Sequence, residues 1–329
     1  MFHNKLFEQF PFLEVTVKNI YGRSTFVSAL VQRLLKIKKP NGKSSRSLDA
    51  ELEKVLSKIR AYGVRQGDIL IVHSSMNSLK ATGCSPDEII DGLLSIVGDT
   101  GTLALPAFAI FHGEPVGTAK FDDSKYNIIL DYDRNSSSIW TGVLAKRLLA
   151  RTGAMRSPHP LNSLVALGSH ADEMMSLNLS SPNPTPCGPG SAWEHCYQKN
   201  AKIVALGVDL AHSLTMIHVA EDAFEQDWPV RDWYHLRRYR ITDGTTSEIL
   251  TVRARKHKWS IFYAERAFAR DLIADSVAQY DNVDGIDMWY CESKKLVNYL
   301  RSKNSIGYPY NFFPYPCSLV FPAFKWKKK

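Results

Sequence analysis

His159 stands between two prolines in Arg156-Ser157-Pro158-His159-Pro160-Leu161-Asn162-Ser163. Proline fixes φ on either side, so the imidazole is carried on a stiff turn. An imidazole titrates near neutrality, which suits it to general-base work. A second group lies at His218-Val219-Ala220-Glu221. A spacing of three puts His218 and Glu221 on one side of a helix. The Glu221 carboxylate could orient His159 and stabilise its imidazolium, as the third member of a triad does. For His218, shaping the site and packing in a helix both remain open. His218 and Glu221 do not complete a zinc-binding HExxH pattern, so no metal is expected. Asp222 falls on another azimuth of that helix and is expected to be exposed. Cys187, in a Gly/Pro loop, and Cys84, after Gly83, are candidate thiol nucleophiles for a covalent route; no spacing selects either over packing. There is no Walker loop and no GxGxxG, which disfavours nucleotide hydrolysis and dinucleotide binding.

These groups need a scaffold. Ile69-Leu70-Ile71-Val72 is a continuous apolar run, as in a strand covered on both faces, and it ends at His73-Ser74-Ser75. Gly101 to Pro106, Ser163 to Gly168 and Ala201 to Val208 read as three more buried strands. Helices are expected over 49–61, with Leu52, Val55, Leu56 and Ile59 on one face, and from Ser85, where Ser85-Pro86-Asp87-Glu88 has the pattern of a capping box. Others are expected over 138–150, 214–226 and 258–280. Residues 110–136 and 180–191 read as loops, and Asp243-Gly244 as the turn of a hairpin between 237–241 and 249–252. The segment 307–324 is rich in aromatics and proline, with no regular period. Strands alternating with helices give an α/β fold class, a layered α/β/α arrangement with a central mixed sheet.

Charge divides the chain. The net +8 contains about +7 in residues 1–46 and +4 in Lys325 to Lys329, which leaves the body near −3. Three segments are therefore expected: a basic appendage at 1–46, a catalytic domain at 47–324 and a basic tail at 325–329. Within the appendage, Phe26, Leu30, Leu34 and Ile37 recur at helical spacing beside Arg33, Lys36, Lys38 and Lys39. This amphipathic helix could lie on an anionic membrane, pack on a partner or pack on the body. Charge confined to the ends is a poor match to a nucleic-acid binder. Five scattered cysteines suggest reduced thiols and a cytoplasmic setting, with membrane-peripheral contact the alternative. No secretory h-region and no spanning run is read.

Taken in order, Val72-His73-Ser74-Ser75-Met76, Gly98-Asp99-Thr100-Gly101-Thr102-Leu103-Ala104-Leu105-Pro106, the Pro-His-Pro segment, Pro186-Cys187-Gly188-Pro189-Gly190-Ser191 and Thr215-Met216-Ile217-His218-Val219-Ala220-Glu221 resemble the aminoglycoside 3-N-acetyltransferase family. The resemblance covers roughly residues 50–230. It implies a CoA-dependent N-acyltransferase with acetyl-CoA as donor and a small-molecule amine, an amino sugar, as acceptor. It implies His159 as base, Glu221 and His218 in the site, and a CoA loop at His73, Ser74, Ser75, Met76 and Ser78, with Phe108 completing the cofactor set. The basic ends point away from a simple resistance enzyme. The expected setting is therefore surface polysaccharide or specialised-metabolite biosynthesis, with aminoglycoside resistance as the alternative. A non-catalytic, membrane-associated scaffold is the rival from another class. For a polycationic acceptor, Asp122, Asp123, Asp131 and Asp133 are the candidate anchors.

Overall fold

The computed structural model describes residues 5–23, 51–136 and 138–312. Seven strands form the main sheet: β1 (Ile69–Ser74), β2 (Thr102–Pro106), β4 (Met155–Arg156), β5 (Leu164–Gly168), β6 (Lys202–Leu206), β9 (Ala278–Val283) and β10 (Ile286–Glu292), in the order β4-β5-β2-β1-β6-β10-β9. β1 runs parallel to both β2 and β6, and the outer pairings are antiparallel, so the sheet is mixed. Alternate side chains of the central strands enter opposite cores. Ile69, Ile71, Ala104, Leu164, Ala166 and Ile203 face one, and Leu70, Val72, Leu103, Leu105, Val165 and Val204 the other. Burial on both faces explains the unbroken apolar runs and gives the layered α/β/α arrangement.

The helix Pro86–Val97 begins as its sequence dictates. Ser85 accepts from the Glu88 N–H, Glu88 reaches back to the Ser85 N–H at 2.7 Å, and proline stands in the first turn. It packs on the helix Leu52–Ala61 over the second core.

A smaller sheet stands beside the first, ordered β3 (Ile129–Asp133), β7 (Tyr234–Asp243), β8 (Thr246–Arg255). The expected hairpin turns at Asp243-Gly244, with Thr246 paired to Asp243. β3 corrects the reading of 110–136 as loop throughout. Leu130 and Tyr132 alternate inward while Asp131 points out, but five residues with acidic outer positions carry little strand signal. Residues 258–280 also differ from expectation. A 3₁₀ turn at His257–Phe262 leads to the helix Glu265–Ala274, Ser276 at φ +54° breaks it, and β9 begins at Ala278. The helix expected over 138–150 is confined to Val143–Leu149.

Residues 5–23 lie against the body. Val15 is buried with Trp228, Trp233, Trp259, Phe262 and Tyr310, and Glu14 pairs with Arg266 at 3.0 Å. The amphipathic helix expected over 26–37 and the tail 325–329 lie outside the described residues. Among the described residues, no helix is long and apolar enough to cross a membrane.

Candidate active site

Two parallel strands, β1 and β2, end side by side, and a cleft of about 480 Å³ opens beyond their carboxyl ends. That is where open α/β sheets characteristically bind ligands. His73, Ser74, Ser75, Met76 and Phe108 all line it, with Trp140 to Val143 on one side and Val208, Ser213 and Thr215 on the other. Phe108 and Trp140 meet edge to face at 5.8 Å, and Trp140 is left 63% exposed. Ser78 departs from this set. Its hydroxyl donates to the Gly207 carbonyl at 3.0 Å and does not line the cleft. Gly207 has φ +64°, and a Cβ there would stand 2.2 Å from Ser78 Cβ, so the β1 and β6 ends meet only because this residue is glycine.

His73 is buried at the cleft floor, and burial lowers its pKa to about 3. Its Nε2 has no hydrogen-bond partner among the described residues. Its ring stacks on Trp193 at 6.4 Å, and Trp193 Nε1 donates to the Asn162 carbonyl at 2.7 Å. That contact joins the cleft to the Pro-His-Pro turn.

His159 is 1% exposed. The turn is pinned to β5 by Ser157 N–H to the Leu164 carbonyl and Leu164 N–H to the Ser157 hydroxyl. His159 Nδ1 lies 3.1 Å from the Leu161 carbonyl, and Nε2 lies 3.4 Å from the Pro184 carbonyl. Burial lowers its pKa to about 4, against the opposing pull of those two carbonyls. At neutral pH the ring is therefore uncharged and able to accept a proton. Once protonated, it has a carbonyl beside each nitrogen to receive an N–H.

The expected pairing of Glu221 with His159 is not present. Glu221 is turned to a separate buried network. It sits 3.3 Å from His218 Nδ1, accepts from Tyr310 OH at 2.7 Å and Trp233 Nε1 at 3.3 Å, and faces Arg255 Nη1 at 3.4 Å. The short helix His218–Asp222 presents its carboxylate to β8 and to the chain near 310, and the Pro184 carbonyl occupies the position beside His159 Nε2. Burial raises the Glu221 pKa, but the charges of His218 and Arg255 and the hydrogen bonds from His218 and Tyr310 outweigh it, so the group is held below the ordinary carboxylate value.

Asp222, expected at the surface, is 5% exposed. It accepts from the Cys187 N–H at 3.0 Å and the Tyr234 hydroxyl at 2.7 Å. Burial, then the Glu221 charge, pushes its pKa up to about 7. Two contiguous carboxylates on one short helix are thus both interior, because β7, β8 and the 184–188 loop close over them. Arg255, Tyr310, Tyr234 and Trp233 complete this network and carry no local signal in the sequence. Burial and the Asp222 charge push the Cys187 thiol well up, which removes the thiolate that a covalent route through it would require.

The proposed acidic anchors are otherwise engaged. Asp123 pairs with Lys256 at 3.0 Å and Asp131 with Arg240 at 2.6 Å, while Asp122 and Asp133 accept from backbone N–H groups of their own turns. Elsewhere, His170, Glu173 and His195 each bring one candidate ligand atom within 4.8 Å of the others.

A layered α/β protein with a cleft at the β1 and β2 ends and a buried histidine behind it is the class that fold and site define. The family model described as aminoglycoside 3-N-acetyltransferase matches residues 71–303, and the chain belongs to that family. An aminoglycoside N(3)-acetyltransferase III of Salmonella sp is 30% identical over 183 residues, 53% of this chain and 60% of that protein. The chain thus matches somewhat under two thirds of this relative's length. An aminoglycoside N(3)-acetyltransferase IX of Micromonospora chalcea is 24% identical over 258 residues, 72% of this chain and 87% of its own length. Among solved structures, the aminoglycoside acetyltransferase AAC(3)-Xa superposes with a TM-score of 0.65 at 21% identity, covering 79% of this chain and 95% of that one. The binary complex of AAC-IIIb with CoASH gives 0.63 at 21% identity, covering 81% and 99%. These two likenesses establish the fold.

Proposed function

We propose that this chain is an acetyl-CoA-dependent N-acetyltransferase whose acceptor is an aminoglycoside. The observation that carries the reading is the cleft at the β1 and β2 ends, lined by the family-motif residues His73, Ser74, Ser75 and Met76, with Phe108 opposite. A cleft of about 480 Å³ falls within the range of small-molecule sites. Acetyl-CoA enters there as substrate, with the thioester directed toward the His159 turn. The acceptor amine attacks the thioester carbonyl, the C–S bond breaks and CoA departs as its thiolate; the proton lost by the amine passes to His159 and from there to the departing sulfur, which leaves CoA as the thiol and His159 neutral again. Burial keeps the resting ring neutral, and the Leu161 and Pro184 carbonyls, which favour its charged form, can receive its N–H groups once it is protonated. Glu221, His218, Arg255 and Tyr310 form a separate buried network whose hydrogen bonds run among themselves, so they act on His159 only through the surrounding chain.

The relatives' activity as aminoglycoside N(3)-acetyltransferases supports the aminoglycoside acceptor over a polysaccharide setting. The catalytic unit comprises the body 47–324, and residues 5–23 belong with it through Val15 and Glu14. The cytoplasm, which supplies acetyl-CoA, is the expected compartment.

The test is thiol release from acetyl-CoA with gentamicin, apramycin and simple amino sugars, for the wild type and His159→Gln. Histidine-dependent turnover of an aminoglycoside is the expected result. Turnover of amino sugars alone would overturn the acceptor, and CoA binding without turnover of any amine would overturn the acetyl-transfer reading.

A further inference from the structure

The segment 177–191 supplies the Pro184 carbonyl beside His159 and the Cys187 N–H to Asp222, so its rigidity bears on the His159 site. Its base is already tied by Asn178 Nδ2 to the Gly190 carbonyl at 3.3 Å and by the Gly190 N–H to Glu194 at 2.6 Å. Two helices flank it, Ala171–Ser176 before and Ala192–Gln198 after. His170 stands at the start of the first, Glu173 one turn into it, and His195 on the second. Glu173 Oε2 lies 3.7 Å from His170 Nδ1 and 3.9 Å from His195 Nε2, and all three ligand atoms fall within 4.8 Å of one another.

We propose that His170, Glu173 and His195 form a divalent transition-metal site of the zinc class that clips together the two ends of the 177–191 loop. The site is independent of the acetyl-transfer reading. Two imidazoles and one carboxylate are a standard three-ligand protein set for zinc, with water completing the tetrahedron. Bonds of about 2.0–2.2 Å place tetrahedral ligand atoms roughly 3.3–3.5 Å apart. The trio therefore has to contract by a fraction of an ångström across the two carboxylate distances, and the two imidazoles start from ligand atoms no more than 4.8 Å apart. Glu173, with its side chain 58% exposed, is free to make that adjustment. The two histidines are more firmly placed. The backbone N–H of His170 donates to Thr102 Oγ1 at 2.8 Å, which fixes the start of its helix, and His195 has only 12% of its side chain exposed. His195 Nε2 is buried and has no hydrogen-bond partner among the described residues, so a donor lone pair is available. The competing cation is Lys199, 3.5 Å from the other carboxylate oxygen, Oε1, which leaves Oε2 to the metal. A metal held across residues 170–195 also removes closure entropy from the loop it spans.

The experiment is a competition titration of the full chain with Zn²⁺ against a chromophoric chelator near pH 7.5, repeated for Glu173→Gln and His195→Gln. Glu173 is exposed, so its substitution leaves the fold intact and serves as the decisive variant. One equivalent bound by the wild type, weakened at least tenfold in both variants, is the expected result. It should be accompanied by slower amide exchange across 177–191 on adding Zn²⁺, in the wild type only. No stoichiometric binding at 100 μM Zn²⁺, or binding that persists undiminished in Glu173→Gln, would overturn the proposal.

Discussion

Replacing His159 with glutamine tests burial and chemistry together. In the unfolded chain the imidazole titrates near 6.5, and in the folded protein burial brings it to about 4. Between those values the unfolded state binds more protons than the native state. Stability therefore falls as pH drops from about 6.5 toward 4 and is unaffected by this group above that window. The full shift corresponds to about 3 kcal/mol at about 1.36 kcal/mol per pH unit, of which about 2 kcal/mol is already lost at pH 5. His73, His235 and His257 are also lowered by burial, so the wild-type slope alone cannot isolate His159. The difference between wild type and His159→Gln can. Urea unfolding followed by tryptophan fluorescence at pH 8 and pH 5 should show the wild type losing about 2 kcal/mol more than the variant. Thiol-release assays at pH 8 should show kcat reduced roughly 10²–10⁴-fold, the usual worth of a positioned base. Equal pH slopes in the two proteins would refute the desolvated imidazole. A kcat loss under about tenfold would refute His159 as the base.

Glu221→Gln leaves the Arg255 cation facing His218 without its carboxylate, and the loss should be about 2–3 kcal/mol by urea unfolding at pH 8, below the range for a fully buried pair because Arg255 is 28% exposed. The wild type's advantage should vanish as pH falls below the ordinary glutamate range, because the Glu221 pKa is depressed in the folded state. Asp222→Asn should act with the opposite sign. The native carboxyl titrates near 7 against 3.8 unfolded, so wild-type stability falls as pH rises through that window. The variant should gain at least ~1 kcal/mol relative to wild type between pH 5 and pH 8. Gly207→Ala forces a Cβ onto Ser78 at positive φ and should cost about 2–4 kcal/mol, with weaker acetyl-CoA binding in a titration because the β1 end must shift.

The sequence by itself determined the strands β1, β2, β5 and β6, the helix that begins at Ser85, and the short segments that carry His73 to Met76, His159 and Glu221. Each of these is set by neighbours a few residues away: an apolar run, a capping pair, a histidine between prolines. The structure then gathered His73, Ser74, Ser75, Met76 and Phe108 around one cleft, as parallel strands ending together must. Other partnerships were decided only in three dimensions. Ser78 turned to Gly207, 129 residues away, and Glu221 took Arg255 and Tyr310, 34 and 89 residues on, in place of His159. Asp222 became interior because β7 and the 184–188 loop meet over it. β3 was hidden in an acidic stretch because its stability comes from pairing with β7, over a hundred residues later. Periodicity records which face of an element is apolar, and that is a local property. Which polar group meets which depends on how the faces are brought together. A buried carboxylate takes whatever donor the closing chain delivers to it, and only the tertiary structure fixes that donor.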